Sequence, residues 1–506
     1  MIEMGPEAGA GGGTVIAEGT IGEIEESGKS VLGPFLSGKA DTCTRVRANR
    51  ENMFEYGKIH ISTGNIHTVK PLSADIPKGR MTVVTGVSGS GKTTFVLESL
   101  IPALSAMIHG EKRPEHVHEI QAEGIRQVKL IDAAPIGTNV RSTVATYANV
   151  HDELRKIFAR TPDANRLGYK TGDFSYNTGK LRCPGCDGTG VISLDVQFLP
   201  DVEIPCPDCR GSRYAKEANL VKHTDKRGVS HSLPEFMDMD INTALENCRD
   251  MKIVSQRLQV LKDLGLGYLT LGEETPSLSG GEAQRLKLAS EMGKAQEDTV
   301  FVFDEPTIGL HPADVQVLLG VFQTLIENGA TVLVIEHDLD VIKNADYIID
   351  IGPRAGRLGG KVVYQGDMKD LQKDSDSYTV RYLLGEETIP LPEHRRPWNN
   401  YIEIKGAREN NLKGVEARFP LNVMTVVTGV SGSGKSTLVR DIFYRALKRE
   451  LDECNERPGE FTSIGGDLQN LRNVEFVDQN PIGKSSRSNP VTYIKAYDLS
   501  LIHISE

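Results

Sequence analysis

No run of apolar residues in this chain approaches the length of a membrane span, so no helical segment is expected to cross a bilayer. Its first residues lack the charged-then-apolar pattern of a secretory signal. Positive charge is not in surplus either: 58 Lys and Arg against 69 Asp and Glu leave −11 at pH 7. That excludes nucleic-acid affinity driven by bulk charge and leaves room only for a local basic surface. Cysteine is scarce, and four of the seven fall in two Cys-x-x-Cys pairs. The pairing points to a metal site rather than a disulfide framework, and so to a reducing, cytoplasmic compartment. What remains is 39% apolar and 25% charged, the balance of a soluble globular protein. At 506 residues the chain exceeds a single core, and length suggests roughly three domains.

The most informative stretch is Gly86-Val-Ser88-Gly89-Ser-Gly91-Lys92-Thr93. It follows a short apolar run, Met81 to Thr85, and precedes a helical pattern beginning at Thr94. Strand, glycine loop and helix in that order make a phosphate loop. The glycines let backbone N–H groups close around phosphates, and the helix N-terminus adds partial positive charge. Lys92 is placed to reach the β- and γ-phosphates of ATP, and the Thr93 hydroxyl to ligate Mg²⁺. A chance lysine after a glycine-rich turn is the competing explanation, and recurrence argues against it. The motif returns whole at Gly429-Val-Ser431-Gly432-Ser-Gly434-Lys435-Ser436-Thr437, again after Met-Thr-Val-Val-Thr.

The recurrence extends well beyond the loops. Gly5 to Gly19 matches Gly352 to Gly366, and Pro135-Ile-Gly137 matches Pro481-Ile-Gly483. The period is about 345 residues, far longer than a solenoid repeat, so whole cassettes are repeated. Residues 1–40 then read as the C-terminal tail of an upstream cassette, 57–385 as a complete one, and 400–506 as the truncated head of another. Arg45 to Tyr56 and Glu387 to Asn400 read as polar linkers. The last residues, Leu499 to Glu506, have no counterpart in the complete copy.

Downstream of Lys92 the chemistry continues. Val300 to Phe303 is an apolar strand running into Asp304-Glu305. Asp304 is placed to hold Mg²⁺, and Glu305 to orient and polarise an attacking water. A second buried strand, Thr331 to Ile335, delivers His337 to where it can sense the γ-phosphate. Ser279-Gly280-Gly281 precedes a helical pattern: Ser279 is a helix cap, and the glycines permit close approach to phosphate. In this order the residues spell an ATP-binding cassette (ABC) signature. A signature of one cassette closes over nucleotide held by another, and Ser279 has two candidate partners, the loop at Lys435 or that of an upstream cassette. The fold class is therefore α/β: parallel-sheet P-loop ATPase cassettes with a helical signature region at about 240–295.

Ser279 lies 187 positions after Lys92, and the long interval holds Cys183-x-x-Cys186 and Cys206-x-x-Cys209. This spacing suits one tetrahedral Cys₄ zinc, structural because it leaves no open position. Gly188, Gly190 and Gly211 permit tight knuckles after the pairs. The zinc module, at about 175–225, is not strongly basic. Arg182, Arg210, Arg213 and Lys216, with Tyr214 nearby, are candidates for phosphate contacts, and a solvated surface explains them equally well. Cys43, Cys248 and Cys454 stand alone and read as packing thiols.

Together these residues resemble the UvrA family, the damage-sensing ATPases of bacterial nucleotide excision repair. The carriers are Cys183 to Tyr214 with Val196 to Asp201 between the pairs, Ser279 to Arg285, Asp304 to His311, and Ile335 to Leu339 running on to Ile351-Gly-Pro353. The resemblance implies ATP-dependent recognition of damaged double-stranded DNA, loading of a helicase subunit of the excinuclease (UvrB-type), and a homodimer of the full-length protein. The complete cassette looks like the C-terminal type. It departs from its later copy at one telling place: the later copy has Gln479 where a glutamine contacts Mg²⁺ and water, and the complete copy has Ala133. The Lys92 site is therefore expected to bind ATP and turn it over slowly. Two rival functions are a UvrA-like ATPase that strips an intercalated drug from DNA and, less compatible with the Cys₄ insertion, a transporter's nucleotide-binding subunit. Chromosome-organising ATPases are excluded by the lack of long heptad arms.

Overall fold

The computed structural model describes residues 1–42, 45–137, 139–194, 202–292, 296–392, 394–451, 457–478 and 490–494. Gln479, Cys43, Cys454, the stretch from Val196 to Asp201 and the last residues from Leu499 lie outside the described residues. The chain divides into two units. One comprises residues 1–397 with 423–435, the other 398–422 with 436–506. The division falls within the stretch 400–506.

The first unit is organised on a six-stranded sheet. Its order is Lys361–Gly366, Tyr347–Gly352, Met81–Thr85, Thr331–Ile335, Thr299–Asp304, Gln127–Ile131. All neighbours are parallel except the first pair. The inner strands are short and apolar throughout because both faces are covered. Val83, Phe301, Phe303, Val332, Val334 and Ile348 point to one core. Val84, Val300, Val302, Leu333, Ile335 and Ile349 point to the other. This is the period-2 alternation of a strand sandwiched between two apolar layers. A three-stranded antiparallel sheet, ordered Leu72–Pro77, Lys58–Thr63, Val117–Gln121, covers the second core.

The helical signature region packs on the first core. Its helices are Ile241–Asn247, Lys252–Asp263 and Gly280–Glu291. Below it the two Cys pairs flank a hairpin, Val191–Leu194 with Val202–Pro205. The linker from Arg45 is less loose than its polarity suggested. The Arg45 side chain is buried and donates from Nη2 to Asp346 Oδ2 at 3.0 Å and from Nη1 to the Asn344 carbonyl at 2.7 Å. Asp346 also accepts from the Met81 and Ala48 amides, each at 2.8 Å. A buried pair with every oxygen satisfied escapes the usual desolvation penalty of an isolated charge.

Two further short strands join the phosphate-loop strand of the later copy. Ile2–Gly5 lies parallel to Val427–Thr428 and antiparallel to Thr14–Glu18. The second unit carries its own antiparallel sheet, ordered Val415–Pro420, Tyr401–Ala407, Ser463–Gly466. It repeats the order of the sheet at 58–121.

Candidate nucleotide and metal sites

The phosphate loop at Gly86 leaves the end of strand Met81–Thr85 and opens a helix that runs from Thr94 to His109. Gly86 has φ +133°, and a Cβ there would sit 2.0 Å from the Ile351 carbonyl oxygen, so only glycine fits. Lys92 is buried and folds back to donate to the Gly86 and Val87 carbonyls at 2.8 and 3.0 Å. Burial pushes its ammonium pKa down, and Glu305, Asp350, Asp304 and Glu336 pull it up. Those four carboxylates thus converge on the lysine from the ends of three neighbouring strands. Ser88, Gly89 and Thr93 are exposed at the mouth of the loop.

Asp304 ends its strand with Oδ1 buried and without a partner among the described residues. Burial, then Glu305 and Asp132, raise its pKa. A buried carboxylate oxygen that feels the Lys92 charge and lacks a donor suits a divalent cation. Glu305 follows with φ +45°, a left-handed backbone unusual for glutamate, held by its N–H donating to the Ile335 carbonyl at 3.0 Å. His337 Nδ1 stands 3.9 Å from Glu305 Oε1, and its ring is half exposed. The structure thus brings Lys92, Asp304, Glu305 and His337 to one place.

Sequence reasoning missed Glu336. It is buried, and it accepts from the Thr307, His337 and Asp338 amides at 3.0, 2.7 and 3.0 Å and from the Thr307 hydroxyl. It fixes the backbone on either side of the Glu305–His337 pair. Its position beside His337 was the only available signal.

Ser279 caps the helix Gly280–Glu291 in a reciprocal capping box with Glu282. Gln284 Nε2 donates to the Ile131 and Asp304 carbonyls at 2.8 and 3.2 Å, and Lys287 Nζ to Asp132 Oδ1 at 2.5 Å and the Ala134 carbonyl at 2.7 Å. The helix therefore clamps the loop carrying Ala133 in its own cassette. A Cβ at Gly280 would lie 3.2 Å from Ala133 Cβ.

The N-terminal end of the same helix lies near the second phosphate loop. Tyr268 donates to Glu282, and its ring lies against Gly432, where a Cβ would meet ring carbons at 2.7 Å. Asp314 Oδ2 accepts from Ser431 N at 2.9 Å and Ser431 Oγ at 3.0 Å. Burial lowers the Lys435 pKa, while Asp314 and Glu282 oppose it. Within this chain the loop Gly429–Lys435 lies beside the signature helix. Tyr268 and Asp314 were not singled out from the sequence, because neither belongs to a motif that reads alone. The rest of that motif lies in the second unit, where Thr437 Oγ1 accepts from Asn410 Nδ2 at 3.2 Å and Ser436 precedes the helix that starts at Thr437.

Cys183, Cys186, Cys206 and Cys209 hold their Sγ atoms within 4.8 Å of one another, with Cys183–Cys206 at 3.9 Å and Cys186–Cys209 at 3.6 Å. These are far too long for disulfides. They match the edge of about 3.8 Å that a tetrahedron of sulfurs about 2.3 Å from a zinc requires. Burial pushes the Cys186 thiol up, but the Gly190 amide and the neighbouring thiols outweigh it and hold the pKa to about 7. A thiolate is thus favoured at Cys186, whereas burial pushes the Cys183 and Cys209 thiols up. Gly188, Gly190 and Gly211 all have positive φ at the knuckles.

The basic candidates around this module differ from one another. Arg213 is buried, donating to Glu274 at 2.7 Å and to the Val140 carbonyl at 3.0 Å. Arg182 pairs with Asp187 at 2.8 Å. Tyr214 is buried, and its hydroxyl donates to the Phe174 carbonyl at 3.0 Å and lies 2.7 Å from His151 Nε2. Arg213 and Tyr214 thus tie the module to the cassette, Arg182 pairs within the module, and Arg210 and Lys216 are exposed. Cys248 is buried, as a packing thiol should be, with its pKa pushed up to about 11 by that burial.

No family model matches the chain. Individual relatives do. The UvrABC system protein A of Bacillus subtilis is 44% identical over 387 residues, covering 76% of this chain and 40% of that protein. Its counterpart in Aquifex aeolicus is 41% identical over 400 residues, covering 77% and 42%. Among solved structures, UvrA2 from Deinococcus radiodurans matches with a TM-score of 0.69 at 36% identity, over 76% of this chain and 46% of that one. The chain thus spans less than half the length of the relatives it matches.

Proposed function

We propose, for a chain whose complete cassette is of the UvrA type, that it is part of an ATP-binding and ATP-hydrolysing subunit that recognises damaged DNA in nucleotide excision repair. The observation that carries this reading is the Cys₄ module built into a cassette whose signature helix lies against a second phosphate loop. The insertion is what a transporter subunit leaves unexplained.

The residues take the following roles. Gly86, Ser88, Gly89 and Gly91 cradle the phosphates of ATP, Lys92 and Thr94 complete the cradle, and Thr93 and Asp304 hold Mg²⁺. ATP supplies the phosphoryl group that water attacks. Glu305 orients that water, and His337 sits where the γ-phosphate ends. At the second loop Gly429, Ser431, Gly432, Gly434, Lys435, Ser436, Thr437 and Gln479 serve nucleotide, with Ser279, Gly280 and Gly281 closing over it. The four cysteines hold one structural Zn²⁺. The partners are damaged double-stranded DNA, read through backbone shape and deformability, and the UvrB-type helicase subunit. The full-length protein acts as a homodimer in the cytoplasm. Among the described residues no helix is long and apolar enough to cross a membrane.

The test is ATP-dependent binding of the full-length protein to a duplex with one bulky lesion and to its undamaged twin, at fixed near-physiological salt. Tighter binding to the lesion, altered by Lys92→Ala, is expected. Equal binding with ATPase activity intact overturns the repair reading and favours the drug-releasing one.

A further inference from the structure

The amino-terminal segment and the second phosphate loop lie more than 400 residues apart in sequence, yet they meet as the corresponding parts of the complete cassette do. In the complete cassette, Ile349 and Asp350 pair in parallel with Val84 and Thr85. At the second loop, Ile2 and Glu3 pair in parallel with Val427 and Thr428. The Gly356 and Gly360 amides donate to the Gly89 and Ser90 carbonyls, each at 3.0 Å. The Gly9 and Gly13 amides donate to the Gly432 and Ser433 carbonyls at 3.0 and 3.2 Å. Asp350 accepts from Ser377, and Glu3 from Ser30 at 2.5 Å. Glu3 is fully buried and also accepts from the Val31 and Leu32 amides, both at 2.8 Å. The match is residue for residue, at the repeat offset.

These contacts act on the loop's chemistry. A phosphate loop binds anions only when its N–H groups point inward and its carbonyls point away. The Gly9 and Gly13 amides take up two of those outward carbonyls, which otherwise need solvent or a rearranged loop. Strand support is also one-sided here. Met81–Thr85 has a strand on each flank, whereas among the described residues Val427–Thr428 pairs only with Ile2–Gly5.

We infer that residues 2–36 are a working component of the second nucleotide site: docked, they hold Gly429–Lys435 in its phosphate-binding shape, and nucleotide binding and docking reinforce each other. This rests on the nucleotide-site reading of the Lys435 loop. It adds that the site takes its rear wall from a segment on the far side of the complete cassette.

The experiment uses the whole chain with Lys92→Ala, so that only the second loop is read. A fluorescent ATP analogue is titrated into this background, with or without Ile2→Asp, which puts a charge into the buried strand. Affinity is expected to fall at least tenfold in the Ile2→Asp chain. As a measurement that does not depend on the variant folding well, hydrogen exchange at the Gly9 and Gly13 amides should slow on adding a non-hydrolysable ATP analogue. Undiminished binding in Ile2→Asp, or exchange unchanged by saturating nucleotide, overturns the inference alone. Absence of binding that depends on Lys435 in the parent background overturns the nucleotide-site reading and the inference with it.

Discussion

Asp314, near the start of the helix that follows the Asp304-Glu305 strand, accepts hydrogen bonds from both the backbone and the hydroxyl of Ser431 in the other phosphate loop. A carboxylate nine residues from Glu305 therefore occupies two donors of the second loop.

The first prediction concerns that carboxylate. In the Lys92→Ala background, Asp314→Ala removes a negative charge beside Lys435 and frees the Ser431 amide. Nucleotide affinity at the second loop should rise three- to tenfold, corresponding to about 1 kcal/mol for a lost charge-assisted competitor. Fluorescent-nucleotide titration reads it; weaker binding would show that Asp314 shapes the loop instead of competing for it.

Ala133 gives the second. The side chain there is a methyl group packed at the start of the signature helix, and it cannot orient water or a cation. Ala133→Gln, in a Lys435→Ala background, is expected to speed steady-state hydrolysis at the Lys92 site roughly tenfold or more, within the range of positioned polar groups. An unchanged rate would refute slow turnover as a consequence of this residue.

The Cys₄ module gives the third. Cys206→Ser should lose one equivalent of zinc by elemental analysis, and exchange protection across the hairpin Val191–Leu194 with Val202–Pro205 should collapse, because a structural metal supplies folding energy directly. ATP binding at Lys92 should persist. Retention of a full equivalent of zinc would reject the four-sulfur site.

His151 sets the fourth. Burial holds its imidazole pKa down to about 4, against 6.5 for the free group. The unfolded chain therefore binds the proton more readily, and stability rises with pH between those values. His151 contributes full stability above about pH 6.5 and loses it progressively as pH falls towards 4, by about 3 kcal/mol in all. Melting temperature followed through this window should fall less steeply in His151→Gln. Parallel slopes in the two proteins would exclude His151 as the source.

Much of the site was legible because its signals are local. A glycine loop between an apolar strand and a helix declares itself, and so do Asp304-Glu305 and His337 at the ends of strands whose period-2 packing marks them as buried. Ser279 could be read as a helix cap from its neighbours alone. Glu336, Tyr268 and Asp314 could not, since each matters only through a residue brought near by folding. Arg213 misled for the same reason. Arg213 looks like a surface cation in sequence, but burial beside Glu274 makes it an anchor. The internal repeat let residues 1–40 be read as a cassette tail and 400–506 as a cassette head; repetition alone carried no information that Ile2 and Val427 would lie side by side.

The buried Arg45–Asp346 pair bears on how the amino-terminal segment competes. It fastens the chain a few residues beyond Leu36 to the body of the complete cassette, and Asp41 and Thr42 are held there too by Gln316 and Asn344. So short a leash gives the segment a local concentration on the order of millimolar at the second loop. A loose copy from another molecule, at the micromolar levels of ordinary proteins, is outnumbered about a thousandfold at its own docking place.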